Sequence, residues 1–229
     1  MAAVDGAWVV IPAFDEAASG VVGRTVADVR RAFPNVVVVD DCSSDATGDQ
    51  ALAAGAHVCR HAINLGQGAA LATGIRYALE RGAEIVVTFD ADGQHRVADA
   101  LAMIDRLRET GVDVVLGSRF LGRAVGMSER KRLFLRLATA FTRVTSGLPV
   151  TDTHNGLRVL SARAARAIVI RQNRMAHASE ILDEIRSRGL AFVEHPVEIA
   201  YTDYSMAKGQ RMSGAFAIVA DLTMRKLYR

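Results

Sequence analysis

The first half of the sequence repeats one pattern over residues 7–117: a short apolar run, a loop of small residues and a longer segment with helical spacing. The runs are apolar throughout rather than alternating, which is typical of parallel strands covered by helices on both faces. The runs are Ala7–Pro12, Val36–Asp40, Ala56–Arg60, Glu84–Asp90 and Val112–Gly117. Helices are predicted at Ala17–Ala32, Ala46–Ala54, Gln67–Arg81 and Val97–Glu109. The pattern predicts an α/β fold with a mostly parallel sheet flanked by helices.

The pattern changes after Gly117. The pattern of residues 126–148 predicts a basic amphipathic helix, because apolar residues recur there at three- and four-residue spacing. Such a helix can lie on a membrane surface. A polar loop over 151–156, a helix at Ser179–Arg188, a strand at Ala191–Ile199 and a final helix ending at Arg229 complete the expected order. We therefore expect one domain over residues 1–229, with a C-terminal helical and strand elaboration.

Composition excludes several classes of protein. Of the 229 residues, 50% are hydrophobic and 23% are charged, as in a globular chain with a sizeable core. Two cysteines make no disulfide framework, and no apolar stretch approaches the roughly 20 residues of a membrane-spanning helix. The first residues lack the basic and apolar regions of a signal peptide, so the expected location is the cytoplasm. The net charge of +3 is mild, but late clustering of basic residues favours an anionic partner.

Acidic residues come directly after three of the predicted strands: Asp15 and Glu16, then Asp40 and Asp41, then Asp90 and Asp92. Because the carboxyl ends of parallel strands meet at one sheet edge, these carboxylates are expected to converge there. Converging carboxylates favour a divalent cation and a hydroxyl-rich ligand. The competing interpretation is that the aspartates only end strands and cap helices. The sequence contains neither a P-loop nor the glycine fingerprint of a dinucleotide-binding turn.

Four segments, VVIPAFDE, VVVVDDCSSDAT, NLGQGAALATGI and VVTFDADGQH, together resemble the family 2 glycosyltransferases of GT-A fold, in the branch similar to dolichol-phosphate mannose or glucose synthases. The resemblance covers residues 8–120 and continues more loosely through GSRF, TDTHNGLRVL, HASEIL and YSMAKGQ. It implies inverting transfer of a sugar from a GDP-mannose or UDP-glucose type donor to a polyprenyl phosphate, with Mg²⁺ or Mn²⁺. It also implies peripheral binding at the inner, cytoplasmic face of the membrane.

The resemblance assigns roles to individual residues. Those implied to bind the nucleotide sugar are Pro12, Phe14, Glu16, Asp41, Asp90 and Gln94, and those implied at the metal are Asp90, Asp92 and Gln94. Asp92, Arg119 and Lys208 are implied to be catalytic, and Arg130 and Glu180 are candidates on the acceptor side. Residues 1–120 would thus form the donor and metal half, and residues 121–229 the acceptor half. The sequence departs from the common family pattern at Asp15, Cys42 and Gln67.

The acceptor decides whether a general base is needed. A hydroxyl acceptor, such as a soluble glycan or metabolite, would need a carboxylate base such as Glu180 or Asp152. A phosphate acceptor is already ionised and needs cations instead. A third hypothesis is a non-catalytic sugar-nucleotide-binding partner of a small integral membrane protein; a nucleic-acid partner is not expected. We expect His95, His154 and His177 to be loop residues bonded to backbone rather than metal ligands or acid–base groups.

Overall fold

The computed structural model describes residues 4–173 and 176–201, in which seven strands form one sheet. The strands are β1 (Ala7–Ala13), β2 (Asn35–Asp40), β3 (His57–Arg60), β4 (Ile85–Thr88), β5 (Val114–Val125), β6 (Arg158–Ser161) and β7 (Phe192–Ala200). Their order across the sheet is β3-β2-β1-β4-β6-β5-β7. Strand β6 runs antiparallel to β4 and β5, and the other neighbouring pairs are parallel.

Helices cover both faces of this sheet. They are α1 (Val21–Arg30), α2 (Thr47–Ala53), α3 (Gln67–Glu80), α4 (Val97–Thr110), α5 (Glu129–Ser146), α6 (Ala162–Ala167) and α7 (His177–Ser187). Alternate residues of β1 enter different cores: Val9 belongs to the core that includes α1 and α4, and Val10 to the core that includes α3, α6 and α7. Burial on both faces explains why the strand is apolar at every position. Within the described residues, no helix has the length and apolarity required to cross a bilayer.

The predicted α/β class and each predicted strand and helix within the described residues are confirmed, with shifted ends. The short strand β6 and helix α6 were not predicted, because four residues that begin with Arg158 give little local strand signal. Strand β5 continues to Val125 instead of ending at Gly117, because it pairs with β7 across a register shift. It therefore crosses the expected division after residue 120. The predicted final helix lies outside the described residues.

The sheet topology determines which loops lie together at one edge of the sheet. Strands β1, β2 and β4 are parallel, so the loops after Ala13, Asp40 and Thr88 emerge at the same edge. Strand β6 runs the opposite way, so its first residue, Arg158, pairs with Thr88 at that edge. One edge of the sheet therefore collects the ends of three strands and the beginning of a fourth.

Candidate active site

A cleft of about 600 Å³ lies at this edge of the sheet. It brings together six residues predicted from the sequence: Pro12, Phe14, Glu16, Asp41, Asp90 and Asp92. The predicted residues Arg119, Arg130 and Glu180 are not part of its lining, and Lys208 lies outside the described residues. Gln94 contributes through its contact with Asp92 rather than through the cleft wall.

Two loops interlock at one end of the cleft. The carboxylate of Asp15 accepts hydrogen bonds from the backbone N–H and the hydroxyl of Ser44, and Ser43 Oγ accepts one from the Asp15 N–H. Asp15 and Cys42 have φ values of +51° and +64°. This left-handed conformation costs a residue other than glycine roughly 1–2 kcal/mol. The two departures from the family pattern thus stand at backbone positions that favour Asn or Gly.

The aspartates after β2 have different roles. Asp40 is buried and pairs with Arg60 at 2.8 Å, so it acts in the structure of the sheet edge. Asp41 lines the cleft, and its carboxylate accepts the backbone N–H groups of Leu65 and Gly66 at 2.9 and 2.6 Å. Asp41 thereby fixes the loop that leads into α3. Capping and strand termination explain some of the acidic residues, but not those that line the cleft.

Asp90 is held on two sides at the centre of the cleft. His95 Nε2 lies 2.9 Å from one carboxylate oxygen, and Gln67 Nε2 donates to the other at 3.3 Å. Burial alone would raise the pKa of Asp90, but the hydrogen bond and charge of His95 and the nearby Arg158 outweigh it and lower the pKa. Asp90 is therefore maintained as a carboxylate.

Asp92 lies beside Asp90 in a different electrostatic environment. Burial, together with the smaller effect of the negative charge of Asp90, raises the pKa of Asp92 to about 6. Gln94 donates to both carboxylate oxygens, from its backbone N–H at 3.1 Å and from Nε2 at 2.7 Å. The contacts of Gln94 thus orient Asp92.

The donor set of this pair suits a hard divalent cation. Among the described residues, no group of three or more His, Cys, Asp and Glu side chains is arranged to hold a metal by itself. Mg²⁺ is commonly bound by one or two carboxylates together with substrate phosphates and water. Asp90 and Asp92 match that arrangement, because they are adjacent and the negative charge of Asp90 disfavours the ionised form of Asp92. The residues present therefore fit a cation shared with a phosphate ligand.

Arg119 has a different position from the one predicted. It is only 8% exposed, and its three guanidinium nitrogens donate to Asp152 at 2.6 Å, to the Tyr201 hydroxyl at 2.6 Å and to the His154 carbonyl at 2.7 Å. Asp152 also accepts the backbone N–H of Arg119 at 3.1 Å. The guanidinium is thus committed to the segment after residue 151. Arg119 does not line the cleft, but it lines a second pocket between the end of β5 and α5.

The two carboxylates considered as bases are also engaged. Asp152 is 1% exposed at its side chain and forms the ion pair with Arg119. Glu180 accepts the backbone N–H groups of Arg171 and Gln172 at 2.9 and 2.8 Å. Both oxygens of Asp152 are occupied by hydrogen bonds from Arg119 and from the backbone N–H of His154, and Glu180 organises the segment before α7. Neither environment favours proton abstraction from a ligand in the cleft.

Two adjacent basic residues of α5, Arg130 and Lys131, have different surroundings. Arg130 is exposed, whereas Nζ of the adjacent Lys131 lies 4.2 Å from the centre of the Tyr201 ring. Burial lowers the pKa of Lys131, Arg119 lowers it further, and the charge of Asp92 opposes this shift. Lys131 is thus half-buried against Tyr201, next to Arg119. The run of basic letters in the sequence could not distinguish these two neighbours.

The histidine prediction is partly wrong. His95 and His154 bond to side chains rather than to backbone: His95 to Asp90, and His154 Nδ1 to the Thr153 hydroxyl at 2.7 Å. His177 begins α7 and lines the cleft instead of lying in a loop. His95 supports the carboxylate pair directly.

Sequence reasoning missed the segment Asn155–Arg158, which forms one wall of the cleft. Asn155, Gly156 and Arg158 all line it. The only local signal was the Asn-Gly pair in TDTHNGLRVL, which is typical of a turn. Contact with Asp90 arises from the pairing of β6 with β4.

Gly156 leaves no room for a side chain. A Cβ at this position would lie 2.5 Å from Cγ of Asp90 and closer still to both carboxylate oxygens. We expect Gly156→Ala to displace Asp90, to lower the free energy of unfolding by about 1–3 kcal/mol, the usual range for overpacking, and to weaken the binding of a divalent cation and its ligand in the cleft. Thermal unfolding without ligand and titration with Mn²⁺ and a nucleotide diphosphate would measure the two effects.

The matched control for this substitution is Gly23→Ala in α1. A Cβ there would meet its nearest neighbour, the Gln50 carbonyl oxygen, at an ordinary 3.7 Å. Alanine favours a helix over glycine by about 1 kcal/mol, so this variant should be at least as stable as the wild type. Equal behaviour of the two variants would show that the contact with Asp90 is unimportant.

Comparison with known proteins agrees with this geometry. The family model described as Glycosyl transferase family 2 matches residues 8–169. The chain is 34% identical over 172 residues to a UDP-N-acetylglucosamine–dolichyl-phosphate N-acetylglucosaminyltransferase of Methanococcus voltae, covering 73% of this chain and 68% of the relative. It is 32% identical over 192 residues to an undecaprenyl-phosphate mannosyltransferase of Micrococcus luteus, covering 80% of this chain and 72% of the relative.

The fold is also found in a solved structure. The glucosyl-3-phosphoglycerate synthase from Mycobacterium tuberculosis, in complex with Mn²⁺, UDP and glucosyl-3-phosphoglycerate, superposes with a TM-score of 0.70 at 20% identity. The match covers 96% of this chain and 79% of the synthase. At this identity the likeness shows the fold, which is the GT-A fold predicted from the sequence. The family model and the relatives together identify the chain as a member of glycosyl transferase family 2, and hence as a glycosyltransferase.

Proposed function

We propose that this enzyme transfers a sugar from a nucleotide diphosphate donor to a polyprenyl phosphate at a membrane surface. The observation that carries the proposal is the Asp90–Asp92 pair in the wall of the cleft, in a chain whose helix α5 is basic and amphipathic. The aspartate pair supports a diphosphate donor, and the basic helix supports an anionic lipid acceptor. The relatives from M. voltae and M. luteus carry names that specify polyprenyl-phosphate acceptors.

The donor side is assigned to residues 1–120. Pro12, Phe14 and Asp41 lie at the end of the cleft where the nucleotide would bind. Asp90 and Asp92, oriented by His95 and Gln94, would hold Mg²⁺ or Mn²⁺ together with the donor diphosphate. When bound, such an ion neutralises the negative charge that grows on the leaving diphosphate. We propose a donor of the GDP-mannose or UDP-glucose type, and the M. voltae relative adds UDP-N-acetylglucosamine to the donors to be tested.

The acceptor side is assigned to residues 121–229, within one domain whose sheet includes strands from both halves. A second pocket of about 380 Å³ lies between the end of β5 and α5, and Arg123, Arg132 and Arg136 line it. Cations at this position suit an acceptor phosphate. A phosphate monoester has a second pKa near roughly 6, so at neutral pH it attacks as an ionised nucleophile without a base.

The chemistry proposed for the protein's own residues is electrostatic and positional. The acceptor phosphate attacks the anomeric carbon from the side opposite the diphosphate, which inverts the configuration. Lys131 contributes positive charge near Asp92, and the Arg119–Asp152 pair holds the adjacent segment in place. Preorganised charge of this kind is often the largest contribution to catalysis in a water-poor cleft.

Helix α5 supplies a surface for the proposed membrane contact. Leu133, Leu137 and Val144, at spacings of four and seven residues, are all exposed within the described part of the chain. Arg130, Arg136 and Arg143 lie on the same helix. An apolar stripe with arginines beside it is typical of a helix that lies in the interface of an anionic membrane. We propose the cytoplasmic face, where such lipids are abundant.

We expect the double variant Leu133→Glu with Leu137→Glu to lose binding to anionic vesicles by at least about tenfold, because burial of a leucine contributes roughly 1.5–3 kcal/mol. These side chains are 61% and 62% exposed, so the fold should persist. Flotation with phosphatidylglycerol vesicles measures the effect. Leu52→Glu on α2, also 62% exposed, is the control and should float like the wild type. Unchanged flotation of the double variant would contradict the assignment to α5.

The overall proposal is tested by incubation with UDP-glucose, UDP-N-acetylglucosamine or GDP-mannose, undecaprenyl phosphate and Mn²⁺ or Mg²⁺. The expected product is a glycosylated polyprenyl phosphate from at least one donor, formed only with a divalent cation. Transfer to soluble glycans or metabolites alone would favour the hydroxyl-acceptor hypothesis. Nucleotide-sugar binding without transfer or hydrolysis would favour a non-catalytic partner of a membrane protein.

A further inference from the structure

Two buried side chains in the cleft wall carry unpaired hydrogen-bond donors. Asn155 and Arg158 are 3% and 4% exposed, and both line the cleft. Asn155 Nδ2 and Arg158 Nη1 have no hydrogen-bond partner among the described residues. Buried polar groups are nearly always hydrogen-bonded, so two unpaired donors in one wall indicate a ligand that supplies acceptor oxygens.

The orientation of Asn155 is fixed by its own turn. Its Oδ1 accepts the backbone N–H of Leu157 at 3.0 Å. A flipped amide would place two donors against each other, so Nδ2 is the unpaired group. Arg158 is fixed by the sheet, since its backbone pairs with Thr88 of β4 on one side and with Leu116 of β5 on the other. The Asn155 amide is thus oriented by its turn, and the Arg158 side chain extends from a fixed backbone position in a buried environment.

The surroundings of this wall favour a neutral ligand group. Gly156, between Asn155 and Arg158 in the chain, packs directly against the Asp90 carboxylate, whose negative charge disfavours a second anion. A phosphate would need an uncompensated cation, whereas a hydroxyl oxygen needs only a donor. The wall is better suited to sugar hydroxyls than to a phosphate.

The contact of this wall with Asp90 indicates which part of the donor reaches it. Asn155, Gly156 and Arg158 line the same cleft as Asp90 and Asp92, and a Cβ at Gly156 would lie 2.5 Å from Cγ of Asp90. The sugar of a nucleotide sugar is bonded directly to the diphosphate that the two aspartates would hold with a cation, and the nucleotide is assigned to Pro12 and Asp41, so the sugar is the group left for this wall. We propose that Asn155 and Arg158 donate hydrogen bonds to hydroxyl oxygens of the transferred sugar and determine which sugar is accepted. This inference rests on the proposed function.

The test separates the sugar from the nucleotide. Isothermal titration with Mn²⁺ compares UDP with UDP-glucose and UDP-N-acetylglucosamine, and GDP with GDP-mannose. The variants are Asn155→Ser, whose hydroxyl can still accept the Leu157 N–H, and Arg158→Lys, which keeps the charge beside Asp90. We expect each variant to bind the nucleotide diphosphates like the wild type and to lose about tenfold in affinity for the accepted nucleotide sugar, as when a hydrogen bond to a buried group is lost.

The matched control is Asn64→Ser, at the nucleotide end of the same cleft, where Nδ2 donates to the Asp41 carbonyl at 3.2 Å. This variant should change nucleotide diphosphate and nucleotide-sugar binding by the same factor. Melting curves of the ligand-free variants establish that each is folded. If Arg158→Lys does not fold, the comparison of ligands is made with Asn155→Ser alone.

Three results would overturn the inference. In the first, the wild type binds the nucleotide diphosphate and the nucleotide sugar with equal affinity. In the second, Asn155→Ser weakens the binding of these two ligands by the same factor. The proposed function would stand in both cases. In the third, no nucleotide diphosphate binds the wild type at all, and the proposed function fails with the inference.

Discussion

Asp92→Asn is expected to reduce sugar transfer by about 100- to 1000-fold, the range seen when one preorganised electrostatic group is removed from an active site. The amide keeps the size of the side chain but lacks the negative charge that a divalent cation requires. The amide oxygen can still accept the Gln94 backbone N–H, and the amide nitrogen can donate to Gln94 Oε1 once the Gln94 amide is rotated, so the local backbone should change little. The measurement is the initial rate of glycolipid formation at saturating donor and Mn²⁺.

The same substitution should increase stability in the absence of metal. Burial and Asp90 raise the pKa of Asp92 to about 6, so the folded protein loses stability as the pH rises from the usual pKa of an aspartate to that value. At neutral pH the variant should therefore melt above the wild type, and added Mn²⁺ should narrow the difference by stabilising the wild type.

Asp105→Asn, at an exposed position of α4, is the control for Asp92→Asn and should change neither activity nor melting temperature. Retention of transfer by Asp92→Asn would remove this residue from the proposed metal site. A loss of both activity and stability would instead indicate a structural role.

Arg119→Met is expected to lower the free energy of unfolding by about 3–5 kcal/mol, because it leaves Asp152 buried without its charged partner. It also removes donors from the Tyr201 hydroxyl and the His154 carbonyl. Since Asp152 and His154 precede the cleft wall at Asn155, transfer should fall as well. Denaturant unfolding measures the change in the free energy of unfolding. Titration with the nucleotide sugar measures whether the cleft wall at Asn155 still binds the donor.

The control for this ion pair is Arg163→Met. Arg163 pairs with Asp113 at 2.8 Å, but it is largely exposed, so the loss should be below about 1 kcal/mol. In the double variant Arg119→Met with Asp152→Asn, the unpaired charge is removed and part of the stability should return. A loss in Arg119→Met no larger than that in Arg163→Met would contradict the burial argument.

Much of the fold is predictable from local sequence patterns. Strands β1 and β2 are apolar at successive positions because both of their faces are covered, and this leaves a direct trace in the sequence. The helices between them show the spacing of an amphipathic helix. The acidic residues Asp41, Asp90 and Asp92 were expected to meet because parallel strands end at one edge, and all three line the cleft.

The sequence by itself determined the α/β class, the described strands and helices other than β6 and α6, and the convergence of the acidic residues at one sheet edge, because these depend on local periodicity and on the residues that stand directly after each strand. The tertiary structure alone decided which cations and donors face the cleft. Arg119 is committed to Asp152, Lys131 lies over the Tyr201 ring, and Arg158 lines the cleft together with Asp90. These contacts depend on the antiparallel entry of β6 and on the packing of α5, which join residues far apart in the chain.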